Sequence, residues 1–131
     1  MTHNPVGWFE IYVDDMNRAK TFYESVFATE LEKLEDPNKS DSDGTGIEML
    51  AFPSNEEKYG APGALVKMDS VSAGGNSTLV YFSCEDCATE ESRIESAGGQ
   101  IQSPKTSIGQ YGFITIAVDT EGNVFGLHSL H

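Results

Sequence analysis

Apolar and polar positions alternate along Trp8-Phe9-Glu10-Ile11-Tyr12-Val13, a run rich in strand formers that ends in Asp14-Asp15. The period then changes. From Met16 to Phe27 the apolar residues fall at Met16, Ala19, Phe22, Tyr23, Val26 and Phe27, the spacing of one helical face, with Asn17, Arg18, Lys20, Glu24 and Ser25 opposite. The acids before this helix suit an N-terminus, where side-chain oxygens accept backbone N–H groups that lack a helical partner. The same grammar returns later in the chain. Residues 79–86 form an apolar strand ending in Glu85-Asp86, and residues 87–97 read as a helix stopped by Gly98-Gly99. This second helix is more polar, with Ala88, Ile94, Ala97 and the stem of Arg93 as its packing candidates.

Each helix is followed by three strand candidates, at about 30–35, 46–52 and 63–68 in the first half and about 100–103, 112–118 and 123–128 in the second. The acidic run 36–44 reads as a hairpin loop, 53–62 as a second loop, and 70–76 as a Gly/Ser linker. Asp41-Ser42-Asp43-Gly44 hints at a calcium loop, but Lys39 stands where the first acidic ligand is needed, so the hairpin reading holds. Asp119-Thr120-Glu121-Gly122 is the turn before the last strand.

The order β-α-β-β-β, written twice, predicts one α+β domain over 1–131, built from two tandem modules at about 6–69 and 77–130. The expected architecture is a pair of curved mixed sheets around a concave cleft, because each helix covers one sheet face and leaves the other bare. Alternation assigns the sides. If Phe9, Ile11 and Val13 pack under the first helix, Trp8, Glu10 and Tyr12 face the cleft, as do Leu79, Tyr81, Ser83, Val124, Gly126 and His128.

These residues resemble the vicinal oxygen chelate superfamily, which includes glyoxalase I, bleomycin-resistance proteins and extradiol dioxygenases. The resemblance rests on Val13-Asp14-Asp15 before the helix, Ala19…Phe22-Tyr23…Val26-Phe27 within it, Ser96-Ala97-Gly98-Gly99 after the second helix, and Asp119-Thr120-Glu121-Gly122-Asn123…Phe125. It covers nearly the whole chain. Phe27-Ala28 departs from the Phe-Gly usual in the family. The resemblance implies a divalent metal held by His, Gln or Glu on strands of both modules. Its positions here fall on Trp8, Leu79 and Gly126, with the remaining one around Lys67 or Met68. Indole, isobutyl and hydrogen side chains offer a metal no electron pair. The chain therefore looks like the metal-site-lacking members often described as related to lactoylglutathione lyase, and neither metal nor other cofactor is expected.

Charge narrows the partners. A net charge of −13 over 131 residues argues against nucleic acid and against acidic lipid surfaces, both of which are gripped by clustered Lys and Arg. No apolar run is long enough for a membrane span, and Met1-Thr2-His3-Asn4-Pro5 lacks a signal-peptide pattern, so the expectation is a cytoplasmic protein. Without a secretory signal the glycosylation pattern Asn76-Ser77-Thr78 carries no weight. Cys84-Glu85-Asp86-Cys87 is a lone C-x-x-C with no second pair to complete a zinc site. Its two carboxylates oppose thiolate formation, so structural cysteines are expected rather than a redox pair.

Glu10 and His128 are the candidate catalytic residues, each two positions along its strand from an empty ligand position. The candidate ligand-binding set is Trp8, Glu10, Tyr12, Met68, Leu79, Tyr81, Gly126 and His128, an aromatic lining suited to a flat, partly apolar small molecule. Glu48 is a further candidate by alternation, an exposed sheet-face carboxylate being the commoner outcome for such a position; His3 and His131, at the ends, carry no role. The expected function is metal-free binding of such a molecule in the cleft. The alternatives are a metal-dependent lyase or isomerase, with its metal relocated to Glu10, His128 and Glu48, and a dimerisation scaffold. A homodimer is the expected assembly, since half-open sheets tend to pair symmetrically.

Overall fold

The computed structural model describes residues 3–35, 47–75 and 77–131. The hairpin loop at 36–44, the calcium-like run within it and Asn76 lie outside the described residues. The chain divides into two compact units: Phe9–Thr78, and Leu79–His131 together with the N-terminal residues through Trp8. The α+β class and the duplicated order are both present.

In the first unit the elements are β1 (Val6–Tyr12), α1 (Met16–Phe27), β2 (Glu32–Leu34), β3 (Glu48–Ala51) and β4 (Gly63–Lys67). Strands β2, β3 and β4 pair antiparallel, and β4 pairs parallel with β1, setting Ile11 beside Leu65. Helix α1 begins where the acids predicted, with the Asp15 carboxylate accepting the Arg18 N–H. It ends on Ala28, whose φ of 50° is left-handed, a conformation the family's glycine would adopt at lower cost.

The core of this unit joins Val13, Met16, Leu31 and Leu65, with Ile11, Ala19, Tyr23, Leu50 and Phe52 packed against it. Three of the six apolar positions on α1 miss that core. Phe22, Val26 and Phe27 are 59%, 57% and 61% exposed. The six positions spread over about 140° of the helix circumference, and the contact through Met16, Ala19 and Tyr23 covers only the middle of that arc.

In the second unit the elements are β5 (Thr78–Ser83), α2 (Cys87–Ile94), β6 (Gln100–Ser107), a 3-10 turn (Gly109–Tyr111), β7 (Phe113–Val118) and β8 (Val124–Ser129). Strands β6, β7 and β8 pair antiparallel, and β8 pairs parallel with β5. Strand β6 runs four residues beyond its expected end. Its partner lies on one side only, so Pro104 forfeits no ladder bond, and the register shifts around Ser103 and Thr106 absorb the irregularity.

Of the packing candidates expected on helix α2, Ile94 turns inward and the others do not. Ala88, Arg93 and Ala97 are exposed, Cys87 is fully buried, and Glu91 and Ile94 are half-buried beside it. The inward Glu91 is accommodated because Oε1 accepts the Lys105 N–H at 2.6 Å and the buried Thr115 hydroxyl at 2.8 Å. Asp86 caps the helix by accepting the Ala88 N–H, and also accepts from Lys105 Nζ at 2.8 Å. The hydrogen bond from Lys105 is the main cause holding the Asp86 carboxyl below the usual aspartate range. Among the described residues no helix is long and apolar enough to cross a membrane.

Candidate functional site

Each unit has a helical and a non-helical sheet side, and strand register assigns residues to them. In the first unit Ile11, Leu65 and Leu50 are in register and pack under α1. Glu10, beside Ala64, and Tyr12, beside Val66, therefore take the other side. The pair is joined directly: the Tyr12 hydroxyl donates to Glu10 Oε1 at 2.7 Å, and Glu10 is only 7% exposed. This hydrogen bond orients the tyrosine ring. Met68 continues the parity of Val66 and makes a bridge to Val71. Glu48 does not join them. It pairs with Lys67, shares the helical side with Leu65 and is exposed, because β3 enters its ladder with Met49, not Glu48, beside Val66.

In the second unit Thr115 and Leu127 are in register, and Thr115 bonds to Glu91 of α2. That is the helical side. Tyr81 beside Gly126, Ser83 beside His128, and Ile114 and Ile116 across from His128 and Gly126 take the non-helical side. Leu79 and Tyr81 are buried, Trp8 half-buried. The Tyr81 ring lies on Gly126 so closely that a Cβ at 126 would fall within it.

Two neighbours of His128 were not singled out from sequence. Its Nε2 lies 2.6 Å from the carbonyl oxygen of Tyr111, delivered by the 3-10 turn. Leu130, one alternation beyond His128, is 68% exposed, and Tyr111 is 38% exposed. The parity of Leu130 was legible in the sequence. The approach of Tyr111 was not, because it depends on how the turn folds back onto β8.

The resemblance implies a divalent metal, and the residues present do not fit one. At the expected positions stand Trp8, Leu79 and Gly126, and the Tyr81 ring fills the volume a ligand side chain on residue 126 would need. Among the described residues no group of three or more His, Cys, Asp or Glu gathers to hold an ion. Glu10 belongs to the first compact unit and His128 to the second.

The cysteines are free, Cys87 buried and Cys84 half-buried. Burial, reinforced by the nearby Glu90 carboxylate, pushes the Cys84 thiol up to about 11, so almost no nucleophilic thiolate exists near neutrality. Both thiols should resist a disulfide reagent at pH 7.5 in the native protein and react at once in denaturant; rapid native labelling of either would contradict this environment.

The family model described as the Glyoxalase/Bleomycin resistance protein/Dioxygenase superfamily matches residues 6–127. Among solved structures, the chain is similar to a variant of Streptomyces coelicolor methylmalonyl-CoA epimerase in complex with 2-nitronate-propionyl-CoA, at 17% identity and TM-score 0.66, covering 96% of each chain. It is also similar to methylmalonyl-CoA epimerase from Mycobacterium tuberculosis, at 14% identity and TM-score 0.65, over 97% of this chain and 88% of that one. A hypothetical protein from Bacillus halodurans C-125 gives TM-score 0.68 at 9% identity, over 95% and 92%. Such identities establish the fold alone. No curated protein matches the chain in sequence.

Proposed function

The chain belongs to the Glyoxalase/Bleomycin resistance protein/Dioxygenase superfamily, and from that premise we propose that it binds a small, partly apolar molecule on the non-helical side of its second unit, without the divalent metal typical of the family's enzymes. The observation that carries this reading is that the large apolar residues this unit exposes among the described residues, Tyr111 and Leu130, both adjoin His128, the first through its carbonyl contact with Nε2 and the second two residues along the chain. Half-buried Ile114 and Ile116 extend the apolar surface on the same side. Accessible apolar surface around one oriented polar group is the usual make-up of a small-molecule site. Trp8, Leu79, Tyr81 and Gly126 form its packed floor in this reading, and Glu10, Tyr12 and Met68 are structural supports of the first unit.

The test is a thermal-shift screen with small aromatic and aliphatic alcohols, amides and acids. A true ligand at about a hundredfold excess over Kd stabilises the fold by about 2.7 kcal/mol. Leu130→Asp, at an exposed position, should fold normally and lose that shift. A panel with no stabilising compound, or a shift that survives Leu130→Asp, would remove the reading.

A further inference from the structure

We infer that His128 serves this site as an oriented hydrogen-bond acceptor through Nδ1, so that the ligand is a ring-sized apolar molecule carrying one O–H or N–H donor. The inference rests on the binding proposal above and adds the chemical class of what is bound.

The tautomer follows from the partner. A peptide carbonyl can only accept, so the 2.6 Å contact between Nε2 and the Tyr111 oxygen requires the proton to sit on Nε2. In the neutral imidazole the other nitrogen then carries a lone pair. Nδ1 has no hydrogen-bond partner among the described residues, which leaves it as the one uncommitted polar atom of the side chain.

The ring is also held from behind. The backbone of His128 lies in the ladder between β5 and β7, with Ser83 on one side and Ile114 on the other, and its carbonyl accepts the Cys84 N–H at 2.8 Å. An imidazole anchored at both its backbone and its Nε2 end is pre-organised, so a donor reaching Nδ1 meets an acceptor whose ordering cost is already met by the fold. Tyr111, whose carbonyl meets the ring, and Leu130, two residues along the chain, are both exposed, and Ile114 is the cross-strand partner of His128, so these adjoining residues offer apolar contact and no charge. A phenol-like molecule matches both features; a hydrocarbon of the same shape matches only one.

Phenol and toluene are therefore the decisive probes. Long-range 1H–15N spectra of the free protein should show the Nε2–H tautomer for His128. Phenol should bind about three- to tenfold more tightly than toluene, the gain expected from one hydrogen bond, and should shift Nδ1 together with the Leu130 and Ile114 signals. In His128→Phe, which keeps a ring of similar shape, the preference should fall to about one. His128→Gln, which keeps an acceptor, should retain part of it and guards against misfolding of the first variant. An Nδ1–H tautomer, or toluene binding as well as phenol, overturns the acceptor role while leaving the binding face intact. If neither probe perturbs the signals around Leu130, the binding reading fails and this inference with it.

Discussion

Gly126→Glu, which puts a carboxylate at the last-strand ligand position that the resemblance implies, should cost about 4 kcal/mol of stability and confer no metal binding. Gly126 is buried within the paired strand β8, and the Tyr81 ring lies directly on it. A Cβ there displaces the ring, and a carboxylate added without partners carries a desolvation cost on top of the overpacking. The cause is separable. In a Tyr81→Ala background the same substitution should cost about 2 kcal/mol less, because the ring is no longer there to be displaced, and urea unfolding of the four proteins gives the coupling directly. Equal costs in both backgrounds would mean that Tyr81 does not occupy the space assigned to it.

Leu65→Ala should destabilise by about 3 kcal/mol, within the range for a fully buried leucine whose surroundings cannot collapse into the gap. Leu65 is 0% exposed and meets residues of β1, β3 and α1 in the core of the first unit. Val26→Ala provides the contrast. The spacing of α1 assigns Val26 to the same packed face, but its side chain is mostly in solvent, so its loss should cost no more than about 0.5 kcal/mol. Comparable effects for the two would show that the helix packs as broadly as its sequence pattern suggests.

These contrasts mark what was legible in the sequence. Period-two alternation in β1 correctly divided Ile11 and Val13 from Glu10 and Tyr12, because only one side of that strand meets the helix. The acids at Asp15 and Asp86 marked both helix starts, since capping is a local interaction. What escaped was tertiary. The width of the α1 contact depends on the sheet beneath it, which left Phe22, Val26 and Phe27 exposed. Glu91 was not among the packing candidates of α2, because its partners, Thr115 and the Lys105 N–H, are distant in sequence. Around His128 the histidine itself was evident, but the Tyr111 carbonyl that orients it comes from a turn 17 residues away in the chain.

Organic-ligand binding without a metal is the claim on which the functional reading turns. Its most direct test is the metal content of untagged protein after dialysis against manganese, nickel and zinc salts. Amounts far below one ion per chain are predicted for all three. One tightly held divalent ion per chain would contradict the account.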